Sequence, residues 1–195
     1  MRLKDKRVKD AVRGWIVEIL EQNKPLLAIA IRQKAKFEGW LKFELAASAA
    51  RHGAKSIEVE SSYDDSPSHK RSDLSFIFKG IRYDIELKTP NSNWRIPGVR
   101  NSTRPITKNV ASIISDAKKL CRTTRYGIVA FVLFPVPSKD DRWLEYIQRI
   151  STNLQTSITS KKNCARLTMP LGKNHAADVV VCTFLAPRRL VKTTE

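Results

Sequence analysis

The sequence predicts an α/β domain in which a mixed sheet is covered by helices on both faces, and three observations indicate this. Residues 72–88 form two alternating polar and apolar runs around Lys79-Gly80, a pattern typical of a β-hairpin. Apolar residues of segment 110–120 fall on one helical face. Residues 126–134 are almost continuously apolar, as in a strand buried on both sides. A hairpin followed by a crossover helix and a buried strand is typical of an α/β sheet.

The segments before the hairpin predict helices and one strand. Apolar residues recur at helical spacing between positions 8 and 19, and residues 23–25 mark a break. A second amphipathic run extends from position 26 to Gly53, as one helix or as two separated near Gly39. Residues 56–60 alternate as a half-buried strand does, and 61–72 read as a polar loop.

The segments after the buried strand predict one helix over 143–154, a weak strand over 165–169 and a stronger strand over 178–185. We therefore expect a single domain over residues 1–195. It divides into an N-terminal helical extension (1–36), a core of order αβββαβ (37–136), and a C-terminal helix with strands (137–195).

The charge of the chain predicts a polyanionic partner. Lys and Arg number 36 against 19 Asp and Glu, a formal net charge of +17. Nucleic acid is the first expectation and an anionic membrane surface the second. An integral membrane protein is not expected, because the longest apolar run, 128–136, is about half of the roughly 20 residues that a spanning helix needs.

The cellular setting predicted from the sequence is the cytoplasm. The first ten residues alternate basic and acidic side chains and lack the apolar segment of a signal peptide. Cys121, Cys164 and Cys182 lie among apolar residues and form no CxxC pair, so we expect buried thiols rather than disulfides or a zinc site.

The hairpin brings together the residues that predict a catalytic site. A two-residue loop at Lys79-Gly80 places Asp73 directly opposite Glu86, and Lys88 leaves the strand from the same face. Two facing carboxylates need compensation, which a divalent cation supplies, and carboxylates with waters and phosphate suit Mg²⁺. Such a site could hydrolyse a phosphodiester, because the metal polarises the phosphoryl group while an ammonium stabilises negative charge. The alternative is a solvated strand face on which Asp73 only caps the loop.

The pattern Ser72-Asp73 … Glu86-Leu87-Lys88, between a preceding helix and a following helix and strand, resembles the PD-(D/E)XK nuclease superfamily. The resemblance covers about half of the chain and implies a restriction-endonuclease-like fold. It further implies that Asp73 and Glu86 bind Mg²⁺, with Mn²⁺ as a substitute, that the carbonyl of Leu87 assists, and that Lys88 handles the attacking water. Ser72 stands where the motif has proline.

Many members of this superfamily also place a glutamate of the first core helix near the metal, and Glu38 and Glu44 are the two candidates. Glu44 lies in register with apolar residues that would face the sheet, where an ionised carboxylate requires a partner or a metal. Glu38 lies about 120° away around the helix and is expected to face solvent. We therefore expect Glu44 to complete the catalytic and metal-binding set, or else to pair with Lys88 or an arginine.

Basic residues around the predicted site are candidates for phosphate contacts. Arg71 precedes Asp73, and a long connection after the second hairpin strand carries Arg95, Arg100, Arg104 and Lys108. An ordinary solvated loop is the alternative for these arginines.

The sequence thus predicts a Mg²⁺-dependent endonuclease that acts on DNA. RNA is a less favoured substrate, since charge alone does not separate the two polymers. A homodimer is one arrangement by which a one-site enzyme could cut both strands. The alternative from a different class is a DNA- or RNA-binding module on the same fold, without hydrolysis.

Overall fold

The computed structural model describes residues 3–62, 71–101, 106–121, 126–172 and 175–187, with no description of the side chains of residues 3–6. Six helices and six strands are found in these ranges: α1 (Leu3–Gln22), α2 (Lys24–Gln33), α3 (Glu38–Arg51), β1 (Lys55–Val59), β2 (Leu74–Phe78), β3 (Ile81–Lys88), α4 (Ile106–Leu120), β4 (Tyr126–Val136), α5 (Trp143–Leu154), α6 (Ser160–Asn163), β5 (Cys164–Gly172) and β6 (His175–Leu185).

The strands form one mixed sheet of order β1-β2-β3-β4-β6-β5. Every neighbouring pair is antiparallel except β3 and β4, which are parallel and are connected by α4. Strand β4 lies in the interior of the sheet, and all of its residues but the first are buried. The prediction of an α/β domain with a mixed sheet and helices on both faces is confirmed.

Two apolar cores separate the layers. Helices α1, α2 and α3 pack on one face of the sheet, and α4 and α5 pack on the other. On β3, Tyr83, Ile85 and Leu87 are buried in the first core. Since side chains alternate along a strand, Glu86 and Lys88 leave β3 from the face that α4 covers.

The hairpin has the predicted register. Lys79 and Gly80 both have positive φ, 51° and 76°, as the two central residues of a type I′ turn require. The ladder then pairs Phe78 with Ile81 and continues without a bulge to Leu74 and Ile85. One further step along this register brings Asp73 to the position facing Glu86.

The second amphipathic run is two helices, and the position expected for the interruption is wrong. Helix α2 ends at Gln33, where Lys34 adopts a left-handed conformation (φ 51°) and donates its N–H to carbonyls of the preceding turn. Gly39 instead lies in the first turn of α3, because Glu38 already begins that helix. The short helix α6 was not predicted. Residues 63–70 of the predicted polar loop lie outside the described residues.

Candidate active site

Asp73 closes the open end of the hairpin. It immediately precedes β2, and its Oδ2 accepts a hydrogen bond of 2.8 Å from the backbone N–H of Leu87, which lies beyond the last β2–β3 pair. Its own carbonyl accepts from the N–H of Glu60 at 3.0 Å. The backbone of Asp73 is therefore held against the end of β1 and its carboxylate against β3, at the register position that faces Glu86.

Lys42 of α3 lies against the same carboxylate. Its Nζ is 3.2 Å from Asp73 Oδ1 and 3.2 Å from Glu60 Oε1. Burial lowers the pKa of Lys42, but the charges and hydrogen bonds of Asp73 and Glu60 outweigh it and leave the pKa above its ordinary value. Asp73 thus faces a persistent ammonium.

Glu86 is nearly inaccessible, at 3% exposure, and meets a second lysine. Lys119 Nζ of α4 lies 2.6 Å from Glu86 Oε1 and also donates to the carbonyl of Arg71 at 2.8 Å. Lys119 therefore connects the crossover helix to the strand that carries Glu86 and to the segment entering Asp73.

Lys88 lies between carboxylates of two helices on opposite faces of the sheet. Its Nζ is 3.4 Å from Glu38 Oε1 of α3 and 3.6 Å from Asp116 Oδ2 of α4. Burial lowers the pKa of Lys88, but Glu38, Asp116, Asp73 and Glu86 together hold the pKa above its usual value. Lys88 is therefore held as an ammonium by the carboxylates that surround it.

The helix carboxylate at this site is Glu38, so the expectation that Glu38 faces solvent is wrong. Besides contacting Lys88, Glu38 accepts from the backbone N–H of Thr89 at 3.2 Å. Glu44 is half-buried and makes no hydrogen bond or ion pair with any described residue, so neither its expected place at the metal nor its alternative pairing with Lys88 or an arginine is found. The physical reason is axial position: Glu38 opens α3 beside the end of β3, whereas Glu44 lies about 9 Å farther along the helix.

Sequence reasoning missed three further members of the cluster, Lys42, Asp116 and Lys119. Each contributes through a contact between elements distant in the chain, which periodicity alone does not reveal. A signal was nevertheless present for Lys42, because it follows Glu38 by four residues and so shares its helical face. Once Lys88 is placed on the face under α4, a carboxylate on that helix becomes an expected partner.

The described residues among the predicted phosphate contacts, Arg71, Arg95, Arg100 and Lys108, have exposed side chains, and of these only Arg71 contacts the cluster, through its carbonyl. Arg71 lies two residues before Asp73, while Arg95 and Arg100 belong to the connection that follows β3. That connection is anchored by the N–H of Arg100, which donates to the carbonyl of Arg32 at 2.7 Å. Lys108 lies in the first turns of α4, three helical turns before Lys119 and on nearly the same face. Arg104 lies outside the described residues.

The side chains at this site offer oxygen ligands of the kind that Mg²⁺ prefers, but only two carboxylates lie at facing positions. Asp73 and Glu86 offer hard carboxylate oxygens at facing positions, and Mg²⁺ commonly uses one or two carboxylates together with waters and substrate phosphates. No group of three His, Cys, Asp or Glu side chains that could hold a metal ion occurs among the described residues. Each of the two carboxylates also has a lysine partner, Lys42 for Asp73 and Lys119 for Glu86.

Comparison of the chain with protein-family models, with curated proteins and with solved structures gives no match. Within the described part of the chain, no helix has both the length and the apolar character that crossing a membrane demands. The candidate active site is thus a cluster of four carboxylates and three lysines where the hairpin, α3 and α4 meet: Glu38, Asp73, Glu86, Asp116, Lys42, Lys88 and Lys119.

Proposed function

We propose that the chain is a Mg²⁺-dependent endonuclease that hydrolyses phosphodiester bonds in DNA, of the PD-(D/E)XK type. The observation that carries the proposal is the register of the β2–β3 hairpin, by which Asp73 faces Glu86 while Lys88 leaves the same side of the strand. The net charge of +17 supports a polyanionic substrate.

The topology supports the same proposal. Elements α3, β1, β2, β3, α4 and β4 follow the expected order αβββαβ, and β3 and β4 are parallel neighbours joined by α4. The start of β2, next to Asp73, and the end of β3, with Glu86 and Lys88, lie side by side between the two helical layers. A restriction-endonuclease-like core is the finer assignment proposed on this basis.

Each residue of the cluster takes a defined role in this proposal. Asp73 and Glu86 would hold the Mg²⁺ ion, which supplies Lewis-acid stabilisation of the phosphoryl oxygens and a more acidic bound water. Lys88 would orient the nucleophilic water and stabilise the negative charge that develops on the phosphate. Glu38 and Asp116 position the Lys88 ammonium from the two helices. Lys42 and Lys119 offset the carboxylate charge when no cation is bound.

The test is cleavage of supercoiled plasmid and of labelled duplex, single-stranded and branched DNA, with Mg²⁺, Mn²⁺ or EDTA. We expect metal-dependent products from the wild-type protein and a loss of about 100-fold or more in Glu86→Ala and Lys88→Ala, since both act on the charge of the transition state. Glu145→Ala removes an exposed carboxylate of α5 and serves as the matched control. Undiminished cleavage by both site variants would refute the assignment.

A nucleic-acid-binding module without hydrolysis is the second candidate. One observation favours it: Lys42 and Lys119 already neutralise Asp73 and Glu86, so the cluster is electrostatically satisfied without a metal. This candidate predicts DNA or RNA binding that is equal in EDTA and Mg²⁺, and no products under any metal. It also predicts that Glu86→Ala binds as tightly as the wild type or tighter, because a negative charge that repels the polyanion is removed.

A further inference from the structure

A cavity of about 480 Å³ opens at the C-terminal end of β6, between α1 and the segment that joins α5 to β5. It belongs to a different part of the sheet from the candidate active site. Leu185, in its wall, pairs with Ile128, whereas Lys88 pairs with Phe131. This separation amounts to about 10 Å along the strands and two strand spacings of about 4.8 Å across them.

The wall of this cavity is strongly basic. Lys9 and Arg13 come from α1, and Lys161 and Lys162 from α6, while Asp10 is the one acidic residue among the lining side chains. The cavity therefore carries a formal charge of about +3, whereas the lysines of the candidate active site are outnumbered by carboxylates. Like charges that line one concave wall repel one another, and an anion that enters the cavity relieves this repulsion.

Two of the four cations are held in fixed positions. Lys9 is only 7% exposed, and its Nζ contacts Asp10 Oδ1 and donates to the carbonyl of Lys162 at 3.1 Å. Arg13 Nη1 lies 2.9 Å from the same carboxylate oxygen and donates to the same carbonyl at 2.9 Å. The Asp10 carboxylate and the Lys162 carbonyl thus hold both Lys9 and Arg13 in place. Because Asp10 carries a single negative charge, one of these two positive charges is left without a counter-charge.

The other two cations, Lys161 and Lys162, are exposed and have no acidic partner among the described residues. Thr156 and Ser157 also line the cavity. Lysine, arginine and hydroxyl donors converging on one concavity are the groups that contact phosphate in nucleic-acid complexes. The volume lies within the range of pockets that enclose a ligand group rather than a single ion.

We infer that this cavity is a second phosphate site, which binds a phosphodiester of a nucleic acid chain at a distance from the candidate active site. The site would add affinity without reading the base sequence, because phosphate contacts position a nucleic acid and carry no sequence information. The inference holds for a nuclease and for a binding module alike, so it does not require cleavage by the Asp73–Glu86–Lys88 cluster.

The test follows amide resonances of Ser157 and Lys161 in ¹⁵N–¹H spectra of the full chain, with EDTA present. Three probes are titrated: an oligothymidylate, its uncharged methylphosphonate analogue and inorganic phosphate. Lys161→Gln/Lys162→Gln is compared with Arg51→Gln/Lys55→Gln, which removes two exposed cations near the start of β1. The same spectra report whether each variant is folded.

We expect saturable shifts with oligothymidylate and little change with the uncharged analogue. Affinity should fall about fivefold or more in Lys161→Gln/Lys162→Gln, since two phosphate-facing charges are lost, and stay near the wild-type value in the control pair. Equal weakening in both pairs would mean a diffuse charge effect and would overturn the inference. Saturation by inorganic phosphate alone, equal shifts with the uncharged analogue, or no saturable shift at these amides would overturn it as well.

Discussion

Replacing Lys88 by methionine tests whether this ammonium holds the carboxylate cluster together. Methionine keeps the unbranched apolar stem of the side chain and removes the charge that lies 3.4 Å from Glu38 and 3.6 Å from Asp116. Breaking a fully buried ion pair costs about 3–5 kcal/mol, and an exposed pair contributes about 0–1 kcal/mol. Because the Lys88 side chain is 24% exposed, we expect an intermediate loss of about 2 kcal/mol.

Urea unfolding at neutral pH measures this loss. A change of about 2 kcal/mol moves the midpoint by roughly 1 M for a slope of about 2 kcal/mol/M. The difference between variant and wild type should shrink below about pH 4, because protonated carboxyl groups no longer repel one another. Millimolar Mg²⁺ should restore part of the stability at neutral pH, since a cation that binds only the folded state stabilises it by mass action.

The matched control is Lys118→Met, which changes an exposed lysine of α4, the helix that carries Asp116. Its effect should remain within about 0.5 kcal/mol. If Lys88→Met and Lys118→Met unfold at the same urea concentration at neutral pH, Lys88 does not neutralise the cluster and the reasoning is refuted.

Three further predictions follow from the site and the hairpin. In cleavage assays, Glu38→Gln should lower the rate about 10-fold or more, because Lys88 loses a partner that fixes its position. Glu44→Gln should cleave at nearly the wild-type rate. A larger loss in Glu44→Gln than in Glu38→Gln would mean that Glu44 is the helix carboxylate of the site. The pKa of Lys42 is raised, so its stabilising contribution is complete below about pH 10.5 and is lost as the pH rises through the higher folded-state pKa. Unfolding between pH 8 and pH 11.5 should therefore show a steeper alkaline decline in the wild type than in Lys42→Met, and parallel curves would contradict this. Gly80→Ala should cost about 1–2 kcal/mol in thermal or urea unfolding, because φ is 76° there; an unchanged midpoint would show that the turn is not strained by a Cβ.

The hairpin could be predicted in detail because two local rules determine it. Side-chain alternation assigns each residue to a face, and the two-residue turn at Lys79-Gly80 fixes the register. The relation between Asp73 and Glu86 follows from these rules without any knowledge of the rest of the chain. The same holds for β4, whose uninterrupted apolar run requires cover on both faces.

The choice between Glu38 and Glu44 failed because a helical wheel describes direction around an axis and not position along it. The contact of Glu38 with Lys88 depends on where α3 begins relative to the end of β3, and that is a tertiary relation. Lys119 lies in the last turn of α4, where the helix dipole alone already favours a cation. Its contact with Glu86 requires the crossover that places α4 over β3, which the linear pattern does not specify.

The bond from the N–H of Leu87 to Asp73 Oδ2 gives one side chain two separable duties. The carboxylate adds a hydrogen bond at the open end of the hairpin. Together with Glu86, it is also proposed to bind the cation. Loss of activity in Asp73→Ala would therefore combine an opened hairpin end with a missing ligand. Asp73→Asn keeps an oxygen acceptor for the Leu87 N–H while removing the negative charge, so it separates the two duties. The hairpin should therefore stay closed in Asp73→Asn, because the Leu87 N–H keeps its acceptor.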